Sequence, residues 1–318
     1  MPKVSVIIAT YNRAALLDNA LESILCQTMS DWELIVVNDA STDNTAQLLA
    51  EWQNKDARIH GLCTERNVGP GAARNLGFAH ARGQYMAVLD DDDTAVPQRL
   101  QWQSDLLDQH PDIGLVFSSV RWVDKQGQLL NIFPGLVQRG EFPTQSPDIF
   151  QLLYQQSNKI PNTTIMFRRE IFDNYGGYPN LPWIGEDWFW FMQLVAQRIK
   201  FAALNQATVN MCRDKEHVSL MTQRQAAMSA QRQVLAMISI WLQKNNIHDF
   251  DHLHHSALSN QFVREARVWG RFRAVHLCCQ ALFLWPMNSY AWHTLYEFAG
   301  RGWRKLVRTV YALQTLSF

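Results

Sequence analysis

The feature that most constrains the fold is the alternation of short apolar runs with helical patterns in the first 110 residues. Buried strands are expected at 4–9, 33–38, 58–63 and 85–90. Each is followed by an amphipathic helical pattern, the last of which starts at Pro97. This alternation is typical of a parallel, doubly wound sheet, in which ligands bind beyond the carboxyl ends of the strands. The chain is therefore expected to have an α/β fold with its site at that edge.

Three polar clusters follow these strands, at Thr10–Arg13, Asn38–Asp43 and Asp90–Asp93. The third is a run of four aspartates, which repel one another and lose hydration when enclosed. The run alone is compatible with a solvated acidic turn before the next helix. It is equally compatible with a cation site, because hard divalent ions take carboxylate oxygens. The convergence of three strand ends on one edge favours the cation site.

The pattern changes beyond residue 113. Strands are predicted in "IGLVFSSVRWVD" (113–124) and "NTTIMFRRE" (162–170), and a helix at 185–198. From about residue 222 the chain is nearly all helical in pattern and rich in Trp and Arg. We therefore predict a first domain at 1–221 and a helical C-terminal extension at 222–318.

Composition and charge exclude some classes of protein. Apolar residues make up 47% and charged residues 18% of the chain, so a sizeable core is possible and disorder is not expected. The net charge is zero, and the basic residues concentrate in the tail, which argues against nucleic acid as the main partner. The five cysteines show no zinc-type spacing, and no signal peptide or membrane span is recognised. These features predict a cytoplasmic protein.

The motifs together resemble those of the family 2 glycosyltransferases, which are inverting enzymes of the GT-A fold. The matching stretches are "VSVIIATYNR", "VVNDASTDNT", "NVGPGAARNLG", "LDDDDTAVP" and "GED". The resemblance covers roughly residues 1–220. It implies a GT-A (nucleotide-diphospho-sugar transferase) fold with a mostly parallel central sheet, to which the helical C-terminal appendage is added.

The resemblance assigns a nucleotide site to the first two clusters. In that family the first-strand loop and the second-strand aspartate hold the nucleotide, here Thr10, Tyr11, Arg13 and Asp39. A carboxylate can accept the uracil N–H, and a tyrosine ring can stack on the base. The alternative for Asp39 is an Asx-turn or cap for the following helix. Arg74 would approach the nucleotide or its phosphates, or is a solvated helix residue.

The aspartate run resembles the family's DxD signature, with Asp90 and Asp92 in the matching places. The resemblance implies Asp90 and Asp91 on the ribose side and Asp92 on a Mg²⁺ or Mn²⁺ ion, and the metal ligand stays open by one position. Such an ion would bridge the diphosphate and neutralise charge as the leaving group departs. His217 follows Arg213 in "CRDKEHVSL" and completes the metal shell, contacts the diphosphate or is structural, and Arg213 could pair with phosphate.

An inverting transfer needs a base that takes the proton from the acceptor hydroxyl. The resemblance implies that Asp187 is this base and that Glu186 supports orientation or acceptor contacts. The alternative is that both acids only favour a helix N-terminus. Trp188 and Trp190, which follow them, either face the sugar or belong to the core.

Residues 301–314 predict a basic amphipathic helix with a tryptophan on its apolar face. It either docks on the core or contacts an anionic membrane surface. The full prediction is a metal-dependent inverting glycosyltransferase with a nucleotide-sugar donor, a UDP-sugar in the first instance. Its acceptor would be a glycan or lipid-linked glycan of surface polysaccharide or glycolipid synthesis. It would act in the cytoplasm, with peripheral contact at the inner face of the membrane.

Two alternatives remain. A sugar nucleotidyltransferase also uses a nucleotide-binding α/β sheet, but usually has a glycine-rich phosphate loop after its first strand, where this chain has "ATYNR". A non-catalytic nucleotide-sugar-binding scaffold at a membrane assembly is disfavoured by the intact set of acidic motifs.

Overall fold

The computed structural model describes residues 1–156, 158–181, 185–212, 224–250, 253–266, 277–282, 288, 291, 294 and 295. The strands in this part of the chain are β1 (Val4–Thr10), β2 (Trp32–Asn38), β3 (Ile59–Cys63), β4 (Tyr85–Val88), β5 (Asp93–Ala95), β6 (Ile113–Val123), β7 (Leu129–Phe133), β8 (Met166–Arg168) and β9 (Lys200–Cys212). The helices are α1 (Ala14–Leu25), α2 (Thr45–Lys55), α3 (Pro70–His80), α4 (Arg99–Gln109), α5 (Gly135–Gln138), α6 (Ser146–Gln156), α7 (Arg169–Tyr175), α8 (Glu186–Ala196), α9 (Arg224–Lys244) and α10 (His254–Ala266).

The strands form one sheet in the order β3-β2-β1-β4-β8-β6-β9-β5, with β7 added to β6. The four strands β3, β2, β1 and β4 are parallel, as the strand–helix alternation predicts. Strand β8 is antiparallel to β4 and β6, whereas β6 and β9 are parallel. Most paired residues lie in parallel ladders, so the predicted mostly parallel α/β sheet is confirmed.

The second half of the sheet differs from the sequence prediction. Only Met166–Arg168 of the predicted strand 162–170 is extended. Asn162–Thr164 is a 3₁₀ turn, stabilised by the Thr164 hydroxyl, which donates to the Pro161 carbonyl at 2.8 Å. Arg169 starts helix α7. Strands β5, β7 and β9 were not predicted.

The core explains why the first half folds as its pattern indicates. Val6 and Ile8 of β1 are fully buried in one cluster with Leu17 and Leu21 of α1. Burial of each such side chain stabilises the fold by about 1.5–3 kcal/mol. On α3, a Cβ added at Gly77 would lie 2.7 Å from an Ile7 methyl group, so the absent side chain lets this helix approach the sheet closely.

The chain divides into two compact units. The first comprises Met1–Ile149, Lys159–Leu181 and Phe189–His217 and contains the whole sheet, whereas the second comprises Phe150–Asn158, Pro182–Trp188 and Val218–Phe318. The second is helical where it is described, and Phe150 stacks on Phe250 inside it with ring centroids 3.7 Å apart. The boundary at residue 221 stays a prediction.

Every helix in the described ranges is too short or too polar to cross a lipid bilayer.

Candidate functional site

The carboxyl ends of β1, β2 and β4 bring the three polar clusters to one edge of the sheet. Thr10 and Asn38 are register partners at the ends of β1 and β2, and the Asp39 N–H donates to the Thr10 carbonyl at 2.9 Å. The acidic run follows β4, which pairs with β1 on its other side. The sequence-predicted residues of these clusters therefore lie together in the first unit.

Asp39 anchors the loop between β3 and α3. Its side chain is buried, at 3% exposure, and its Oδ1 accepts from the Thr64 hydroxyl at 2.8 Å and the Val68 N–H at 2.9 Å. Its Oδ2 accepts from the Gly69 N–H at 2.9 Å. A carboxylate offers about four acceptor positions. Within the described residues, one acceptor position on Oδ2 therefore remains for a further N–H.

Neighbouring residues provide the turn and cap that were the alternative for Asp39. Asn38 Oδ1 accepts from the Ser41 N–H at 2.9 Å. Asp43 Oδ1 accepts from the Thr45 N–H at 3.0 Å at the start of α2. The Asp39 carboxylate is thereby left for the loop that leads into α3.

Tyr11 directly follows β1, and the next residue, Asn12, has an uncommon backbone conformation. Asn12 has a left-handed backbone with φ of 53°, its N–H donates to the Ser41 hydroxyl at 2.9 Å, and its side-chain oxygen accepts from the Thr42 N–H at 2.7 Å. These bonds join the loops that follow β1 and β2. Tyr11 is 44% exposed, so its ring face is accessible.

The acidic run alternates in exposure. Asp90 and Asp92 are partly exposed, whereas Asp91 and Asp93 are buried at 5% and 2% exposure. Asp91 and Asp92 lie in a turn, which the Asp93 N–H closes by donating to the Asp90 carbonyl at 3.2 Å, and Asp93 then begins β5 and pairs with Met211 of β9. The two carboxylates of the DxD pattern are thus the accessible ones.

Two arginines form ion pairs with aspartates of the run. One nitrogen, Arg13 Nη1, lies 3.0 Å from Asp91 Oδ1 and 2.9 Å from Asp92 Oδ2. Arg74 Nη2 lies 2.6 Å from Asp90 Oδ1. Arg74 is 8% exposed, so the alternative of a solvated helix residue is wrong.

A third arginine, Arg99, interacts with the charges of the run and was not predicted from the sequence. Arg99 is fully buried and donates to the Val88 carbonyl at 2.6 Å and to Gln103 Oε1 at 3.0 Å. Burial lowers the pKa of Arg99 to about 9, against the opposing charges of Asp93 and Asp90. Its only sequence signal is an arginine two residues after Pro97 on a helix that follows the acidic run.

Burial also raises the pKa values of the two buried carboxyl groups, those of Asp91 and Asp93. Burial raises the pKa of Asp91 to about 6, with the Arg13 guanidinium opposing the shift. Burial, reinforced by the charges of Asp90 and Asp92, raises the pKa of Asp93 well above its usual range. The carboxylates that a ligand can reach are those of Asp90 and Asp92, because Asp91 and Asp93 are buried.

These two carboxylates fit a hard divalent ion. Mg²⁺ is usually held by one or two carboxylates together with substrate phosphates and water. The described residues contain no group of three or more His, Cys, Asp or Glu side chains arranged for a metal. Asp90 and Asp92 can provide one or two oxygen ligands, and a diphosphate would complete the coordination of the ion. His217 and Arg213 lie outside the described residues.

The second acidic pair begins α8. Asp187 Oδ2 accepts from the Asn158 side-chain amide at 2.8 Å, and its Oδ1 accepts from the Trp188 N–H at 2.7 Å. Glu186 Oε2 accepts from the Gly185 N–H at 3.1 Å. Both carboxylates are partly exposed, so they are fixed by these bonds and still reachable by a solute.

The tryptophans after this pair are core residues. Trp188 is 2% and Trp190 1% exposed, so a direct role in sugar binding is wrong for both. The Trp190 indole N–H donates to the Gly176 carbonyl at 3.1 Å, and its ring lies 4.9 Å from that of Tyr178. The predicted basic helix at 301–314 lies outside the described residues.

The chain is similar to several known proteins. A family model described as "Glycosyl transferase family 2" matches residues 5–176. The uncharacterized glycosyltransferase MJ1057 of Methanocaldococcus jannaschii is 42% identical over 134 residues, which is 42% of this chain and 46% of the relative. The putative teichuronic acid biosynthesis glycosyltransferase TuaG of Bacillus subtilis is 38% identical over 108 residues, which is 34% of this chain and 40% of the relative. The chain thus spans less than half the length of these relatives.

Two solved structures share the fold. TarS residues 1–349 of S. aureus, in complex with UDP, superposes with a TM-score of 0.61 at 19% identity, covering 98% of this chain and 87% of that one. The mannosyltransferase PcManGT of Pyrobaculum calidifontis, in complex with GDP-Man and Mn²⁺, gives a TM-score of 0.57 at 18% identity, covering 99% of this chain and 87% of that one.

Proposed function

Because the chain belongs to glycosyl transferase family 2 and has the GT-A fold, we propose that it is an inverting, metal-dependent glycosyltransferase with a nucleotide-sugar donor. The observation that carries the proposal is the meeting of Tyr11, Asp39 and the Asp90/Asp92 carboxylates at one sheet edge. An accessible ring, a free acceptor position and two accessible carboxylates suit a base, a base N–H and a diphosphate with its cation.

UDP is the proposed nucleotide of the donor. The free acceptor position on Asp39 Oδ2 suits the single imide N–H of uracil, and TarS was solved with UDP. Guanine also presents an N–H, and the mannosyltransferase neighbour was solved with GDP-Man. Both nucleotides therefore belong in the test.

The reaction is a displacement at the anomeric carbon of the donor sugar. The acceptor oxygen attacks opposite the diphosphate, and the bond from carbon to diphosphate oxygen breaks, so the configuration inverts. The acceptor proton passes to the Asp187 carboxylate, the role that the family motif gives this residue, with Glu186 beside it. Arg13 and Arg74 donate charge-assisted hydrogen bonds to phosphate oxygens. A Mg²⁺ or Mn²⁺ ion, held by Asp92 and in the resemblance by His217, would neutralise the leaving diphosphate when bound.

The proposed acceptor is a hydroxyl of a glycan or lipid-linked glycan in surface polysaccharide synthesis. TuaG supports this class, since its name assigns it to teichuronic acid biosynthesis. Peripheral contact with the inner membrane face through residues 301–314 belongs to the same proposal and rests on the sequence pattern.

A thermal-shift panel tests the donor class. UDP, GDP and their sugars are added with and without Mn²⁺, and a ligand that binds the native state raises the melting temperature by mass action. We expect a shift that needs the metal and is largest for a UDP species. Absence of a shift with every nucleotide would refute the proposed function.

The substitution Asp187→Asn tests the base. Transfer should fall by about 10²–10⁴-fold, the usual contribution of a positioned base, while nucleotide binding is retained. Asp173→Asn, at an exposed carboxylate on α7, is the matched control and should leave both unchanged. If cells carrying only the Asp187→Asn protein make the normal glycan, the protein acts as a scaffold and the enzyme assignment fails.

A further inference from the structure

Arg74 contacts both Asp90 of the acidic run and the aromatic ring of Tyr178. Its guanidinium nitrogen Nη2 lies 2.6 Å from Asp90 Oδ1, and its guanidinium carbon lies 5.6 Å from the centre of the Tyr178 ring. A cation within about 6 Å of an aromatic centre is attracted by the ring. Tyr178 thus contacts the same guanidinium group that pairs with Asp90.

The residue after Arg74 fixes Tyr178 by its backbone. The Asn75 side-chain amide donates to the Tyr178 carbonyl at 2.8 Å, and its Oδ1 accepts from the Tyr178 N–H at 2.8 Å. Paired bonds of this kind define both position and orientation. Since Arg74 and Asn75 are neighbours on α3, the pairing sets the distance between the arginine and the ring.

The Tyr178 hydroxyl is connected to the acidic run through Asn162 and Thr163. Its hydroxyl donates to Asn162 Oδ1 at 2.7 Å. The next residue, Thr163, accepts from the Asp90 N–H at 3.1 Å through its hydroxyl oxygen. The contacts close a ring from Asp90 through Arg74, Asn75, Tyr178, Asn162 and Thr163 back to Asp90.

Gly177 makes the pairing possible. A Cβ at this position would lie 2.0 Å from Asn75 Oδ1, closer than real Cβ contacts allow. The asparagine side chain is short and both its ends are bonded, so it cannot move aside without losing the pair. The segment is also packed, because the Tyr178 ring lies 5.7 Å from that of Phe78.

We propose that Asn75, Gly177 and Tyr178 are positioning residues that hold Arg74 at Asp90, where its guanidinium binds the diphosphate of the donor. This inference rests on the proposed function. An arginine side chain loses conformational freedom when it binds a ligand, and holding it in place beforehand reduces that loss. The three residues therefore act on diphosphate affinity through Arg74.

The test measures Kd by titration calorimetry in the presence of Mn²⁺, with UDP or GDP, whichever raises the wild-type melting temperature more, and with the matching monophosphate. Asn75→Ala should weaken diphosphate binding about tenfold, in the range of couplings seen between contacting residues. Binding of the monophosphate should change less than about twofold, since the lost contact is to the diphosphate. Asn19→Ala, an exposed amide on α1, is the control and should bind as wild type.

A double-mutant cycle checks the geometry. Gly177→Ala should weaken diphosphate binding at least as much as Asn75→Ala. The combined variant should be no weaker than Gly177→Ala alone, because both changes break the same pair. If Gly177→Ala does not fold, Asn75→Ala decides the question with the two nucleotides.

The outcomes separate the two proposals. Wild-type protein that binds no nucleotide refutes the proposed function and this inference with it. Wild-type binding with unchanged affinity in Asn75→Ala refutes only the positioning role. Equal losses for diphosphate and monophosphate also refute it, since they indicate a general loosening of the fold.

Discussion

The Asp39 carboxylate provides the sharpest test of how the site is built. In Asp39→Asn one oxygen becomes an NH₂ group, and the arrangement that preserves most contacts places it against the Gly69 N–H. The variant keeps the hydrogen bonds from Thr64 and Val68, which now go to a neutral amide oxygen, and loses the bond from the Gly69 N–H. Weakening bonds to a charged group and leaving one N–H unpaired should cost about 3 kcal/mol in the free energy of unfolding.

The assay is thermal unfolding followed by intrinsic fluorescence, with urea unfolding as a second measurement. A loss of this size corresponds to a fall of about 6–12 °C in Tm for a domain of this size. Thr64→Val is the graded control, because it removes one of the three bonds and should cost about 1 kcal/mol. If Asp39→Asn lies within about 0.5 kcal/mol of wild type, the value usual for surface substitutions, the carboxylate does not anchor the loop.

Two further predictions concern the opposite edge of the sheet and should leave nucleotide binding unchanged. Burial would raise the pKa of Glu33, but the hydrogen bonds from Ser5 and Arg82 outweigh burial and lower it. Glu33 therefore stabilises the fold above about pH 4, and this stabilisation is lost as the pH falls through the pKa of the folded state. Glu33→Gln should therefore lower the free energy of unfolding by about 3 kcal/mol at pH 7, and the deficit should shrink in acid; a deficit independent of pH would contradict this. Gly83→Ala places a Cβ 2.5 Å from the Ser5 backbone nitrogen and should lower Tm strongly, whereas Gly61→Ala meets only the end of a glutamine side chain and should not; equal effects would contradict the packing argument.

The first half of the fold was predictable because its signals are local and redundant. Strand β1 is apolar except for Ser5 and Thr10, and α1 carries a regular apolar face, so period and composition agree. Because these strands are parallel, their polar carboxyl ends lie at one edge of the sheet.

The second half was less predictable because its strands depend on distant partners. Strand β5 has three residues and begins with Asp93, so nothing local marks it as extended until it pairs with β9. Strand β9 contains Asn205 and Gln206 at irregularities in its register with β6, which interrupt the alternation that would have revealed it.

The site residues divide in the same way. The carboxylates stood out because four aspartates after an apolar strand are unusual. Arg99 did not, because an arginine on a helix is normally solvated and only the assembled sheet buries it. Tyr178 lies more than 100 positions from Asn75 along the chain, so their pairing has no local signature. The roles assigned to Asp92 and Asp187 stay predictions.

The alternating exposure of the aspartate run has a consequence for how the gene can change. Four identical letters hide two chemically different classes of position, two facing solvent and two facing the interior. Loss of one codon would leave three aspartates where the turn needs four residues, because its closing bond runs from the Asp93 N–H to the Asp90 carbonyl at 3.2 Å. We expect the tract to tolerate the replacement of one aspartate by glutamate better than a change of length, although both leave its composition purely acidic.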